Sequence, residues 1–278
     1  MPVIPQIPLS VLILTFNEER HLPACLASVT GCDVVVLDSG STDRTVEIAR
    51  AAGARVFANP FVNFATQRNH AHATIAFRHP FVFHLDADES LTPDLVAECT
   101  ALDPAAPFDG YFAAPRMMFD GKWLRHCTDF PAWQARCVRA RGFRYIQVGH
   151  GQREAPGMRL GFLRHSYRHD ITVHDERAWE AKHRRYARDE AAQFLSVHLA
   201  FGASARALAV GPPLERRRVL KHLSQQLPGR PALRFFYQYY LRRGFLDGPA
   251  ARRYCRLLAR YEGFTAEEIR RQRALRNA

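Results

Sequence analysis

Asp86-Ala87-Asp88 follows directly on the apolar run Phe81-Val82-Phe83-His84-Leu85. Two carboxylates at the end of a strand suit chemistry on a leaving pyrophosphate. A divalent metal neutralises such a group through one or two protein carboxylates, with water and phosphate oxygens completing its shell. Once the strand has ended, alternate residues need not face opposite ways, so one carboxylate can reach a ribose while the other takes the metal. Alone, the tripeptide reads as a solvated turn; its place at the mouth of a buried strand changes that reading.

Other polar residues fall at equivalent places. Asp38 ends Val34-Val35-Val36-Leu37. It is a helix-capping or Asx-turn residue, or a carboxylate that accepts the N–H of a pyrimidine base. Thr15, Asn17 and Glu18 end the run Leu9–Thr15, where turn polarity is the plain alternative. Gln67, Arg68 and Asn69 belong to a helical segment, and an arginine there can pair with a pyrophosphate. No G-x-G-x-x-G follows the first run, which argues against a dinucleotide-binding site.

These positions require elements to hold them. Leu9–Thr15, Asp33–Leu37, Arg55–Phe57 and Phe81–Leu85 read as strands, the continuous apolar runs being typical of buried parallel strands. Helices are expected after Pro23, from the Ser39–Asp43 turn to Ala52, over Phe64–Phe77 and from Thr92-Pro93. This alternation predicts an α/β fold with a doubly wound, mostly parallel sheet, whose ligands bind at the carboxyl ends of the strands. After Gly110 the pattern changes to ribbon-like segments: Tyr111–Phe119, Ala135–Val138 and Phe143–Val148. A boundary near residue 175 separates a catalytic domain, 1–175, from a helical, basic C-terminal region, 176–278.

With these segments in order, the chain resembles a known family. Leu12-Ile13-Leu14-Thr15-Phe16-Asn17-Glu18-Glu19, Leu37 to Thr45, Gln67-Arg68-Asn69 and Leu85-Asp86-Ala87-Asp88-Glu89 are similar to the successive motifs of family-2 glycosyltransferases. The resemblance implies a GT-A-type, Rossmann-like fold, a nucleotide-sugar donor such as a UDP-sugar, Mg²⁺ or Mn²⁺, and inversion at the anomeric carbon. It implies that Thr15, Glu18 and Asp38 hold the nucleoside and Asp88 the metal, with Asn17, Gln67, Arg68 and Asp86 completing the donor site. Trp133-Gln134-Ala135-Arg136, His150 to Glu154, Leu163-Arg164-His165, Phe235 to Tyr240 and Gly244 to Gly248 extend the likeness to lipopolysaccharide-core glucosyltransferases of the WaaE/KdtX type. That subgroup transfers a hexose, glucose from UDP-glucose, to a lipid-linked saccharide acceptor such as the lipopolysaccharide inner core. Here Gly151-Gln152-Arg153 separates His150 from Glu154, where the subgroup has them adjacent. An inverting transfer needs a group to take the acceptor hydroxyl proton. Glu154 is the expected base, and Asp129, Asp170 and His150 are alternatives.

Charge and composition bound the rest. Hydrophobic residues make up 47% of 278, enough for a sizeable core. The net charge is +12, and from Ser204 onward stand 17 Lys+Arg against 5 Asp+Glu, so the whole excess lies there. Leu233, Phe236, Tyr237, Tyr240 and Leu241 form an apolar stripe flanked by Arg234, Arg242 and Arg243. That pattern fits a helix lying on an anionic membrane surface as well as one packed on the protein. The tail carries no nucleic-acid motif, which disfavours a nucleic-acid-binding module. No Gly-rich phosphate loop with a following Lys supports a nucleotidyltransferase. Phe194–Leu214 contains His198, Arg206 and two prolines and is rejected as a membrane span. The six cysteines include no C-x-x-C pair and read as reduced thiols. With no signal-peptide pattern in the first residues, the expected location is cytoplasmic, peripheral on the inner face of the membrane.

Overall fold

The computed structural model describes residues 7–148, 151–196, 227 and 229–277. The chain divides into two compact units: Met1–Met118 with Asp129–Ile171, and Phe119–Thr128 with Thr172–Ala278.

The first unit opens with β1 (Ser10–Thr15), α1 (Leu22–Ala27), β2 (Asp33–Asp38), α2 (Thr45–Ala51), β3 (Arg55–Ala58), α3 (Phe64–Thr74) and β4 (Phe81–Asp86). It continues with β5 (Glu89–Ser90), α4 (Pro93–Thr100), β6 (Gly110–Ala113) and β7 (Pro115–Phe119). The short β8 (Lys122–Trp123) belongs to the second unit. β9 (Gln134–Arg139), β10 (Tyr145–Val148), β11 (Gly151–Glu154), β12 (Leu160–Phe162) and β13 (Tyr167–Asp170) complete the first. The main sheet has strand order β12-β6-β9-β4-β1-β2-β3. β1 runs parallel to β2 and β4, while β9 is antiparallel to both its neighbours, β4 and β6. The fold is thus α/β and doubly wound, with a mostly parallel sheet. β5, β13 and β7 lie side by side in a smaller sheet, and β10 pairs with β11 as a hairpin.

Every residue of β1 is buried, and its side chains alternate between two layers. Val11 and Ile13 join the core beneath α1 and α4, and Leu12 and Leu14 join that of Ala71 and Ile75. This double burial is why the strand reads as a continuous apolar run. Asn63 caps α3 by accepting from Thr66 N–H, and Thr92 caps α4 by accepting from Leu95 N–H. The helix expected to reach Phe77 stops at Thr74. Ile75 turns extended, at φ −108° and ψ 126°, and its side chain fills the second core layer.

The second unit consists of α5 (Glu176–Ser196), α6 (Arg230–Phe236), a π-helical turn (Tyr237–Leu241), a 3-10 turn (Gly244–Asp247) and α7 (Pro249–Asn277). Ala191, Phe194 and Ile269 form the seam between α5 and α7. The excursion Phe119–Thr128 joins this unit through buried polar contacts. Asp247 accepts from the backbone N–H groups of His126 and Cys127, and Gln238 Nε2 donates to the Cys127 carbonyl. All six cysteines are free thiols. Among the described residues, no helix is long and apolar enough to cross a membrane. Most of the rejected span Phe194–Leu214 lies outside the described residues.

Candidate functional site

The carboxyl ends of β1, β2 and β4 form one edge of the main sheet, and polar side chains collect there. Thr15 ends β1 and donates its hydroxyl to Asp38 Oδ1 at 2.8 Å. Asp38 ends β2 and also accepts from the Ser41 hydroxyl at 2.5 Å and from the N–H groups of Gly40 and Ser41 at 2.9 and 2.8 Å. Gly40 lies at φ +94°, a conformation that L side chains rarely adopt, and so permits this tight wrap. Burial works against the Asp38 charge, but the donors from Ser41, Thr15 and Gly40 hold its carboxyl below the usual range.

The loop after β1 is stitched to the loop after β2. Asn17, at φ 56°, donates its N–H to Ser41 Oγ and accepts from Thr42 N–H. Glu18 N–H donates to Thr45 Oγ1 at 2.7 Å, and Glu19 exchanges bonds with Asp43 and Arg44. The Glu18 carboxylate meets His21 Nδ1 at 2.8 Å. From α3, Gln67 Nε2 reaches Ser39 Oγ at 3.2 Å. Asn69 is spent on the backbone of Tyr145, both donating and accepting.

Arg68, next on α3, is 1% exposed. Its Nη2 donates to Asp86 Oδ1 at 2.7 Å, and its guanidinium lies 5.9 Å from the Tyr145 ring centroid. Arg68 Nε and Nη1 are buried and have no hydrogen-bond partner among the described residues. Such orphaned donors are uncommon and call for a ligand or water to complete them. The other Asp86 oxygen accepts from Arg136 Nη2 at 3.1 Å, and the same nitrogen donates to Glu89 at 2.8 Å. Although burial disfavours the Asp86 charge, Arg136 and Arg68 hold its carboxyl down to about 2. Burial pushes the Glu89 carboxyl up to about 7, against the pull of Arg136.

Asp88 is placed differently. Its side chain is 35% exposed, and His169 Nε2 on β13 lies 3.4 Å from Oδ2. The other nitrogen of His169 faces Glu89 at 3.5 Å. Burial opposes protonation of His169, but Asp88, Glu89 and Asp86 together raise it above the ordinary imidazole value. Asp170 donates its N–H to the Asp88 carbonyl, so β13 is tied to the acidic turn. With Asp86 enclosed by two arginines, Asp88 is the carboxylate open to an ion. Among the described residues, no three His, Cys, Asp or Glu side chains are placed to hold a metal by themselves. A cation sharing its shell with pyrophosphate oxygens and water needs only one or two protein groups. Asp88 fits that requirement, and His169 fits it once its proton is released to make way for the ion.

Glu154 ends β11 and stands opposite Tyr145 in the hairpin register. Tyr145 in turn packs its ring against His84, with the Arg68 guanidinium over its face. Asp129 is exposed in the segment leading into β9, and His150 lies outside the described residues. The sequence pattern alone assigns no role to Arg136, Glu89 or His169. Arg136 carried a visible signal: a charge between Ala135 and Cys137 in a strand, where burial demands a partner.

The model of the family described as glycosyl transferase family 2 matches residues 10–161. Over 107 residues the chain is 33% identical to an uncharacterised glycosyltransferase of Rickettsia typhi, covering 38% of this chain and 36% of that protein. Over 95 residues it is 37% identical to the lipopolysaccharide core biosynthesis glycosyltransferase LpsC of Rhizobium meliloti, covering 32% and 34%. The matched stretch thus spans only 36% and 34% of the length of these relatives. Among solved structures, S. aureus TarS 1–349 in complex with UDP-GlcNAc is 15% identical over 95% of this chain and 92% of that one, with a TM-score of 0.41. Glucosyl-3-phosphoglycerate synthase from Mycobacterium tuberculosis in complex with UDP is 24% identical over 40% and 44%, with a TM-score of 0.32.

Proposed function

Because the chain belongs to glycosyl transferase family 2, we propose that it is a metal-dependent, inverting enzyme that moves glucose from UDP-glucose to a lipid-linked saccharide of the lipopolysaccharide inner-core kind. The observation that carries this reading is the cluster at the end of β4: Arg68, a buried guanidinium with two orphaned donors, bonds Asp86, and Asp88 follows two residues on. The printed role of LpsC in lipopolysaccharide core biosynthesis supports the acceptor class.

Thr15, Asn17, Glu18 and Asp38 frame the nucleoside. Asp38 already accepts four hydrogen bonds, so the base N–H takes the place of one donor, the Ser41 hydroxyl, whose proton turns away while its oxygen keeps the Asn17 N–H. Gln67 steadies the same loop through Ser39, and Arg68, buried behind Asp86, places its positive charge beneath the pyrophosphate. Asp86 aligns Arg68 and faces the ribose. Asp88, with His169 once it has given up its proton, would hold Mg²⁺ or Mn²⁺, which when bound neutralises the leaving diphosphate. Glu154 takes the proton as the acceptor oxygen bonds to the anomeric carbon and the bond to UDP breaks with its electron pair. Inversion follows from that opposite-face attack.

The second unit docks on an anionic membrane. Leu233, Phe236, Tyr237, Tyr240 and Leu241 are 45–65% exposed, and exposed apolar patches mark interaction surfaces. Arg242 has a different role from the one its sequence suggests. Its guanidinium braces the carbonyls of His126 and Thr128, leaving Arg243 and the exposed arginines of α7 for head groups.

The decisive experiment measures UDP release from UDP-glucose with Mn²⁺, with and without a chelator, for wild type and Asp88→Asn. The expected result is chelator-sensitive turnover that falls by about 10²–10³ in the variant. Turnover indifferent to both would remove the proposal.

A further inference from the structure

Trp133 and Phe162 stand out because both are large, aromatic and uncovered. Trp133 is 43% exposed and Phe162 61%. Their rings meet edge to face, with centroids 5.1 Å apart and planes at 80°. Phe112 supports the corner from below, its centroid 5.2 Å from that of Phe162. The ring quadrupoles favour this edge-to-face arrangement, which gives the corner its shape.

Its place in the sheet gives it meaning. β12 pairs with β6 so that Phe162 lies beside Phe112, and β6 pairs with β9 so that Ala113 lies beside Gln134. Because β9 runs antiparallel to β4, its Gln134 end lies where β4 ends at Asp86. The side chains agree: Arg136 donates to Gln134 Oε1 at 3.0 Å and to Asp86 Oδ2 at 3.1 Å. Trp133 is therefore the chain neighbour of a residue two hydrogen bonds from Asp86. The aromatic corner lies on the same sheet edge as the donor residues, displaced from β1 and β2 toward the other end of the strand order.

We infer that the Trp133–Phe162 corner is the platform on which a sugar ring of the acceptor stacks, on the sheet edge that also carries Asp86. A pyranose presents an apolar C–H face and a rim of hydroxyls. The faces of two rings at a right angle suit the first, and the polar groups around Gln134 suit the second. Exposed apolar patches rimmed by polar residues mark ligand grooves. The inference builds on the proposed transfer and adds a subsite for the sugar that receives the hexose.

The test titrates deacylated inner-core oligosaccharide of lipopolysaccharide into the full chain with UDP and Mn²⁺, by calorimetry. Wild type, Trp133→Ala, Phe162→Ala and Trp133→Phe are compared, with UDP titrations reporting on the fold of each. Loss of one stacking face should weaken oligosaccharide binding by about tenfold, with Trp133→Phe retaining most of it. Equal binding by all four proteins overturns the platform and leaves glycosyl transfer standing. A wild type that binds UDP but no saccharide overturns both. Variants that lose affinity only for phosphatidylglycerol vesicles, with saccharide binding intact, reassign the corner to lipid and also overturn it.

Discussion

Arg136 donates to Glu89 across 2.8 Å, and the two side chains are 5% and 0% exposed. A charge pair this deep is costly to break from one side, because the remaining carboxylate stays in the core with only His169, 3.5 Å away, as a charge partner. Arg136→Leu should destabilise the first unit by about 3–5 kcal/mol. Adding Glu89→Leu should return much of that loss, since no uncompensated ion remains. Urea unfolding of the single and double variants decides it. A single variant within 1 kcal/mol of wild type would show the pair to be dispensable.

The Asp86 carboxyl, held down to about 2 by Arg136 and Arg68, links stability to acid. A depressed carboxyl contributes above its unfolded value, near 3.9, and its contribution fades as pH falls toward the folded value. Asp86→Asn should therefore be less stable than wild type at pH 6 by on the order of 2 kcal/mol. The gap should close as pH falls from about 4 to 2. The difference between the two proteins carries the Asp86 contribution. Glu89, pushed up to about 7, acts with opposite sign, because its protonated form is favoured in the fold and that stabilisation fades as pH rises. A gap that stays constant with pH would show that Asp86 does not titrate against its arginines.

Much of this geometry is foreshadowed in the chain, though unevenly. Asp38 and Asp86 end apolar runs, and their place at the sheet edge follows from alternating helices and strands. Glu89 and His169 could not be paired from sequence. Their meeting depends on β13 adding to β5, a contact between residues 80 positions apart. Arg136 likewise faces Asp86 only because β9 inserts antiparallel beside β4. Pairing across such distances is a property of the whole sheet, and no local pattern encodes it. The end of α3 at Thr74 shows the reverse error. Helical periodicity continued past it, but Ile75 gains more as an extended core residue.

Glu154→Gln should separate binding from transfer. The amide keeps the shape, so UDP affinity should remain while sugar transfer falls by roughly 10²–10⁴. Calorimetry for UDP and product formation with a saccharide acceptor give the two readings. If transfer persists, Asp170, whose backbone already touches Asp88, is the next group to replace.

Membrane docking should depend on the exposed ring surface more than on Arg242. Phe236→Ser with Tyr240→Ser should lower co-sedimentation with anionic vesicles, while Arg243→Glu should weaken binding mainly at low salt. Arg242→Glu should instead lower thermal stability, because it removes the brace on His126 and Thr128. Vesicle binding unchanged by the double serine variant would mean that these rings do not enter the interface.

The stitching of Asn17, Glu18 and Glu19 to the Ser41–Thr45 segment bears on how quickly a donor is captured. Two surface loops joined through their own amides have little freedom left to lose when a nucleotide arrives. The ordering entropy that usually opposes ligand capture has already been spent in folding. Arrival of the donor is then limited by diffusion and orientation, with no slow search by the loops. The same stitching should mark the backbone: the amides of Glu18 and Thr42 should exchange with deuterium slowly for surface positions, even in the free protein.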